Sequence, residues 1–425
     1  MPTWEVRFDL RVDLRDADLI RKVARAEATA EVIRGLPIPP YIRERLDTLN
    51  ILRAIRGTTA IEGSDLTEDE VRAVIDHPDE PAPIHRSRAR EVQEVRNAKA
   101  AMDLIEETSA TRPGLSVTEH FVCLIHQLLT RDIPYPHNEP GRYRSHAVAV
   151  GGYVPPRTGQ DVRALMARFI DWLNDPVTQG WPAVVRATAA HFYLISIHPF
   201  GDGNGRTARA VESYLLYQAH INACGFYSLS NFYYRNRSEY TERLDNVRFR
   251  SRGSLMSFLA FAVTGLLEEL EDVRREIVDE MSVIAFRDYA REQLTRYGRI
   301  GTKGGERQLL FVLEMGRDPV PLKLLREGGH PLAVLYKDVT SKTLSRDLTF
   351  LERCELVVRD DSSVQANLAV MDAFKLGSVR PGLGREGVVI GRMSASTVTG
   401  RRRPGRNQRP GASGRGGRRN DGHLR

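Results

Sequence analysis

The sequence predicts a mainly α-helical protein with one small β-hairpin, then a smaller unit of short helices with its own hairpin, then a disordered tail. Three observations predict this. Apolar residues recur at helical spacing over most of residues 16 to 290. A stretch rich in Pro and Gly, residues 134 to 159, interrupts that series. From about residue 378 onward Gly, Arg, Ser and Pro dominate with almost no aromatic residues. At 425 residues and 41% hydrophobic, the chain has material for two or three domains and a sizeable core.

Trp4, Val6, Phe8, Leu10, Val12 and Leu14 occupy every second position of WEVRFDLRVDL, the period of a half-buried strand. Helices follow. DADLIRKVARAEATAEVIRGL runs to a Gly stop, YIRERLDTLNILRAIRGTTAIEG ends at Gly63, and TEDE at 67–70 supplies a capping box for a third helix. Further helices are expected over 87–109, 116–130, 160–174, 183–196, 204–222, 237–249 and 254–290. PYPHNEPGRYRSHAVAVGGYVPPRTG reads as a loop with a short hairpin, because His146, Val148 and Val150 alternate before a Gly pair. A linker at 298–305 leads to ERQLLFVLEM, PVPLKLLRE and TSKTLSRDLTFLERCEL, three amphipathic helices, and to LVVRDDSSVQANLAV, two strands around a DDSS turn. Three helices and a hairpin are the outline of a winged helix. The expected divisions are residues 1–110 (strand and first helices), 111–297 (main bundle), 306–377 (winged-helix-like unit) and 378–425 (Arg/Gly-rich tail). There is no internal repeat.

The net charge of +7 belongs to the tail, whose last 25 residues hold nine Arg against one Asp. The folded part is near neutral, which argues against a broadly basic nucleic-acid surface there. Cys123, Cys224 and Cys354 are too few and too scattered for a disulfide framework or a Cys-based metal site, so a reducing compartment fits. MPTWEVRFDL has no basic start followed by an apolar run, and no stretch of eighteen apolar residues occurs. A soluble, cytoplasmic protein with no membrane partner is the expectation.

Residues 198 to 209, HPFGDGNGRTAR, put glycines, an acid, an amide, a histidine and two arginines between two buried helical stripes. Strands are absent on both sides, so the stretch is a helix-loop-helix connection and not a hairpin turn. Gly201, Gly203 and Gly205 let backbone N–H groups converge, Asn204 is placed as the N-cap, and the helix N-terminus favours an anion. Arg206 and Arg209 share a face and lean back toward that terminus, so both reach the anion. Asp202 beside phosphates fits Mg²⁺, a hard cation that takes oxygen ligands from protein and phosphate together. His198 titrates near neutral pH and suits a general base. The following proline is expected to force His198 into extended backbone and end the helix.

This stretch resembles the Fic-family signature His-x-Phe-x-Asp/Glu-Gly-Asn-Gly-Arg-x-x-Arg at every defined position, with flanking similarity over about residues 40 to 290. The resemblance implies a Fic-type helical bundle whose catalytic domain is 111–297, transferring AMP from ATP to a Ser, Thr or Tyr hydroxyl of a target protein. It implies His198 as base, Asp202 as Mg²⁺ ligand and Phe200 as core anchor of the loop. Asn204 and the amides of Gly203 and Gly205 would hold the α-phosphate, Arg206 the α/β-phosphates and Arg209 the γ-phosphate.

TTAIEG at 58–63 fits the family's inhibitory pattern, with Thr58, Glu62 and Gly63 at the defined positions. Glu62 stands at the end of a helix, where the dipole disfavours negative charge and calls for a cation. By resemblance that cation is Arg209, and the protein is self-inhibited. Residues 146–157 resemble the family's flap, which clamps a target segment by strand pairing. RSEYTERLDNV resembles the region lining the adenine pocket; family members often carry two adjacent tyrosines there, and this chain has Tyr240 followed by Thr241. His191 is read as a satisfied core histidine. The helix at 340–356 resembles a winged-helix recognition helix with Lys342, Thr343, Ser345 and Arg346 facing DNA; its Asp347 and Glu352 suit a protein partner equally. DNA, through this unit and the basic tail, and a second copy of the chain are further candidate partners. Two rival functions use the same site: removal of AMP from a modified protein, and a DNA-binding regulator that senses nucleotide.

Overall fold

A computed structural model describes residues 5–77, 84–150, 152–222 and 229–374. Trp4, Cys224 and the 378–425 tail lie outside the described residues. The chain divides into two units, Met1–Met371 and Asp372–Arg425.

Asp16 accepts the Leu19 N–H and starts α1 (Ala17–Gly35), which buries Leu19, Val23, Ala26, Ala30 and Ile33 against the long helix α12. Then come α2 (Pro40–Ile61) and α3 (Glu68–Asp76), the latter opened by the Thr67–Glu70 capping box that TEDE predicts. After them α4 (Ala89–Thr111) and α5 (Glu119–Thr130) flank the centre. The next elements are α6 (Gly159–Asn174), the short α7 (Pro176–Gln179), α8 (Ala183–Ile197) and α9 (Asn204–Gln218). Then α10 (Leu229–Arg235), α11 (Arg237–Phe249) and α12 (Met256–Arg296) complete the bundle. Nearly every side chain of α8 is buried, as a helix enclosed on all sides requires. It packs on α9, and α4, α5 and α2 pack on α9 in turn, so the loop joining α8 to α9 sits inside the bundle's framework.

The second core lies farther along the chain. Phe286, Ala290 and Leu294, near the end of α12, pack with α13 (Lys303–Glu314), α14 (Leu322–Glu327) and α15 (Ser341–Arg353). A three-stranded antiparallel sheet closes it: β1 (Val320–Pro321), β2 (Val357–Arg359) and β3 (Ser363–Ala366), in the order β1-β3-β2, with Val320 opposite Val364 and Val357 opposite Ala366. Buried Asp347 faces inward and binds Arg307 and Gln308 of α13, both at 2.7 Å, so it ties two helices together and is not a surface acid. Lys342, Ser345 and Arg346 are exposed.

Two β expectations are corrected. Residues 5–15 form no strand; their sole ladder contact is a parallel bridge of Arg11 with Ser254. The alternation still decides which side packs, since Val6 and Leu10 are buried, but a strand needs a partner along its length and this segment meets helices. Among the described residues, the hairpin at 146–157 reduces to one antiparallel bridge, Val150 with Tyr153. The helix expected at 116–130 begins at Glu119, because Thr118 takes the Phe121 N–H at 3.1 Å. The one expected to reach 222 stops at Gln218. α7, α10 and β1 went unforeseen; each is too short to show a period.

Candidate active site in the loop between α8 and α9

His198 ends α8 in the left-handed region, φ 50° and ψ 60°, its N–H bonded to Leu194 O at 3.1 Å. The expectation of extended backbone is thereby corrected: proline excludes the right-handed helical conformation before it, and a helix C-terminus selects the left-handed alternative. Asn204 is not the N-cap either. Gly203 is, at φ 74°, while the Asn204 amide closes a loop on Phe200, accepting its N–H and donating to its C=O, both at 2.9 Å. Phe200 is fully buried and stacks on the His126 ring at 3.6 Å. Phe200→Ala is expected to cost about 3–5 kcal/mol in urea unfolding, through the cavity it leaves.

Residues that carry no motif fix the outside of the loop. The Asn138 side chain accepts the Asp202 N–H at 3.0 Å. His126 accepts the Gly141 N–H on Nδ1 and donates from Nε2 to Asp202 O, each at 3.0 Å, which sets its tautomer. Burial is the main cause that pushes the His126 pKa down to about 4. The folded state therefore resists protonating it, and stability present at pH 6.5 is lost as the pH falls toward 4. His126 alone is expected to supply about 3 kcal/mol of that loss. Urea titrations at the two pH values check this, since the increment should vanish in His126→Asn.

Inside the loop the first intrahelical bond runs from Thr207 N–H to Gly203 O at 3.0 Å, so the amides of Asn204, Gly205 and Arg206 precede it, as at any helix start. Arg206 is buried. It donates to Tyr135 Oη at 2.7 Å and to Asp202 Oδ1 at 3.3 Å, and stands 3.5 Å from Glu94, while its Nε and Nη1 have no hydrogen-bond partner. Nη1 is the atom that faces Glu94, so Nε is the buried donor without a partner, and such a donor marks a place where an anion fits.

Arg209 has its partner already. It gives Nε to Thr58 Oγ1 at 2.9 Å and Nη2 to Thr58 O at 3.0 Å and Glu62 Oε1 at 2.7 Å. Glu62 is the C-cap of α2, and Gly63 follows at φ 104°. A Cβ on Gly205 would overlap Glu62 Oε1, so the carboxylate rests against the start of α9, in the place the helix terminus prepares for an anion. Burial opposes the Glu62 charge, but Arg209 and Arg206 outweigh it and hold the carboxyl below its ordinary range.

The His198 ring is half-buried, and its Nδ1 faces Ile195 O at 3.4 Å. Donation to that carbonyl leaves Nε2 as the free acceptor of a neutral ring. Burial, aided by Arg144 and Arg248, pushes its pKa down to about 4. Asp202 is partly exposed and also accepts the Gly203 N–H at 2.5 Å. No cluster of three or more acidic, His or Cys side chains able to hold a metal occurs among the described residues. One carboxylate suits a metal that takes its other ligands from phosphate and water.

Tyr240 lies in the core. Its Oη bonds His191 Nε2 at 2.8 Å, and its ring stacks on Tyr233 at 4.8 Å. His191 bonds Glu212 through Nδ1 at 2.9 Å, which makes it the satisfied histidine expected. Sequence reasoning missed Tyr135, Asn138, His126, Glu94 and Arg144. HNEPGRYR was the available signal, a polar cluster inside a Pro/Gly loop. A cavity of about 250 Å³ opens beside Gly201, lined by His137, Asn138, Tyr143, Arg144 and His146 among others.

Residues 116–216 match the model of the Fic/DOC family. Over 81 residues the chain is 48% identical to the protein adenylyltransferase Fic of Drosophila willistoni, covering 19% of this chain and 16% of that one. With the namesake of Culex quinquefasciatus it shares 30% over 168 residues, 40% of this chain and 32% of that one. The chain thus spans less than a third of the length of these curated relatives. Among solved structures, Fic-1 from C. elegans superposes with a TM-score of 0.53 at 21% identity, covering 63% of this chain and 75% of that one. A Fic family protein from Desulfovibrio desulfuricans gives 0.51 at 21%, covering 84% and 97%. No helix of the described residues is long and apolar enough to cross a membrane. Motif and family model agree over residues 116–216, which are similar to the Fic/DOC family, and the fold is similar to that of solved Fic structures.

Proposed function

We propose that the chain is a self-inhibited adenylyltransferase moving AMP from ATP to a Ser, Thr or Tyr hydroxyl of a target protein. One observation carries the reading: a histidine with its Nδ1 toward Ile195 O stands beside a helix start that holds one arginine with an unbonded buried Nε and a second arginine occupied by a carboxylate. The names of the relatives support adenylyl transfer. His198 Nε2 takes the acceptor hydroxyl proton as its oxygen bonds the α-phosphorus; the bond from that phosphorus to the β-bridging oxygen breaks, and pyrophosphate leaves with the electron pair. The amides of Asn204 and Gly205 at the start of α9 and the Arg206 guanidinium would face the developing charge, already fixed in place. Asp202 would hold Mg²⁺ on the phosphates, where the cation neutralises their charge. Glu62 withholds Arg209 from the γ-phosphate, so ATP does not settle productively. Tyr240 is enclosed in the core, its ring on Tyr233 and its Oη on His191, and so is not read as a stacking face for the base. The cysteine usage supports a cytoplasmic setting.

Incubation of the Glu62→Gly protein with ATP labelled at the α or the γ position tests the proposal. Label from α in protein, with a mass gain equal to AMP, is the expected result. Label from γ refutes it, and release of AMP from a modified protein with no forward transfer would establish the reverse reaction instead.

A further inference from the structure

We propose that Arg144 and Tyr153 form a clamp fastening the start and the middle of the flap segment to the C-terminus of α8, so that one device positions His198 and the target-binding edge together. This rests on the transfer reading above; both are positioning residues. The last carbonyls of a helix have no intrahelical donor and need one from elsewhere. Here Arg144, just before the flap, and Tyr153, within it, supply it. Tyr153 Oη donates to Ser196 O at 2.6 Å, and Arg144 donates from Nε to His198 O at 2.7 Å and from Nη2 to Ile197 O at 3.5 Å. The same guanidinium turns its Nη1 to His146 O at 2.7 Å, at the start of the flap, and the Arg144 N–H bonds Pro199 O at 2.9 Å.

Arg144 and Tyr153 are both buried, and no carboxylate pairs with Arg144 among the described residues. Its charge is directed at the negative end of the α8 dipole, the place where a cation is favoured. Arg248 of α11 backs the clamp, 4.5 Å from the centre of the Tyr153 ring and bonded through Nη2 to Ser196 Oγ at 3.1 Å.

The clamp acts on two things. His198 keeps a left-handed backbone, which a side chain other than glycine holds only where its surroundings enforce it, and the Arg144–His198 O bond is such a constraint. Among its described residues the flap has one internal bridge, Val150 with Tyr153, so its course depends on the anchors at His146 and Tyr153. The groups facing the His198 ring are Arg144 before the flap, Arg248 from α11 and Glu62 from the end of α2; the two cations disfavour its proton and the carboxylate favours it.

The test uses Arg144→Lys, Arg144→Gln and Tyr153→Phe in the Glu62→Gly protein, with unfolding midpoints to monitor the fold. Arg144→Lys keeps the charge and loses the planar fork. It is expected to lower kcat about 10- to 100-fold and raise the KM for the target protein, with the KM for ATP unchanged. Arg144→Gln gives the same loss and also moves the acid limb of kcat upward by about one pH unit, since a cation no longer opposes protonation of His198. The His198 imidazole, followed by NMR without substrate, should titrate upward in Arg144→Gln and stay in place in Arg144→Lys. A kcat and target KM within twofold of the parent in both Arg144→Lys and Tyr153→Phe overturn the clamp, as does an unmoved His198 titration in folded Arg144→Gln. Should Arg144→Gln fail to fold, the first two variants decide. If Glu62→Gly transfers no label, the transfer reading fails, while the NMR titration still reports on the clamp.

Discussion

Glu62→Gly is expected to raise adenylyl transfer by roughly 30-fold to several hundred-fold over the unaltered chain, read as α-label entering protein. To meet a γ-phosphate, Arg209 must first part from a carboxylate it binds at 2.7 Å. Charge-assisted hydrogen bonds contribute about 1.5–3 kcal/mol each, and the ionic attraction adds to that. An obstacle of about 2–4 kcal/mol corresponds to that range of rates at 1.4 kcal/mol per tenfold. The same substitution should lower stability without nucleotide, because Arg209 keeps only its Thr58 contacts. With Glu62 one-third exposed, the loss is about 1–2 kcal/mol, less than for a fully enclosed pair. ATP at about 100 times its Kd should return about 2.7 kcal/mol in the variant and far less in the parent. Glu62→Gln, which keeps the shape and loses the charge, should fall between the two. Equal labelling of the parent and the glycine variant would show that Glu62 is no brake.

His198→Ala in the Glu62→Gly protein is expected to lose about 10²- to 10⁴-fold in kcat, the usual contribution of a positioned base, while binding ATP as before. Calorimetry with ATP and the label assay separate the two quantities. His198→Asn should lose as much. Asparagine tolerates the left-handed backbone found here, so a matching loss assigns the effect to the imidazole and not to strain. The pH dependence follows from the lowered pKa. A base with a pKa of about 4 is already unprotonated at pH 6, so transfer should be level from pH 6 to 8 and fall only as the pH drops toward 4. Without Glu62, which favours the proton, the fall should come lower still. A rate that halves near pH 6.5 would mean that His198 is not held neutral by its surroundings.

Much of the site was legible because its parts are local. Thr67 and Glu70, three residues apart, make the capping box that TEDE announces, and Arg206 and Arg209 share the face that their spacing requires. Glu62 was readable for a similar reason, as a negative charge at the wrong end of a helix dipole. The errors were also local rules, each overruled by a neighbour. Asn204 has the chemistry of an N-cap, yet its amide finds both backbone groups of Phe200 within reach. His198 precedes proline, yet the end of α8 selects the left-handed option. Alternation in residues 4–14 signalled a strand, and among the described residues no strand lies beside them.

The sequence by itself determined the helical class, the order of the longer helices and the twelve-residue stretch 198–209, because periods, caps and spacings act over a few positions. The family resemblance named Arg209 as the partner of Glu62, 147 positions away, and the tertiary structure brings the two together; only that structure decided that Tyr135 and Glu94 surround Arg206 and that Arg144 reaches His198. Those contacts depend on which faces of α2, α4, α8 and α9 turn toward one another, and burial of apolar surface over the whole bundle sets that. A buried charge then needs a partner wherever the packing happens to bring one.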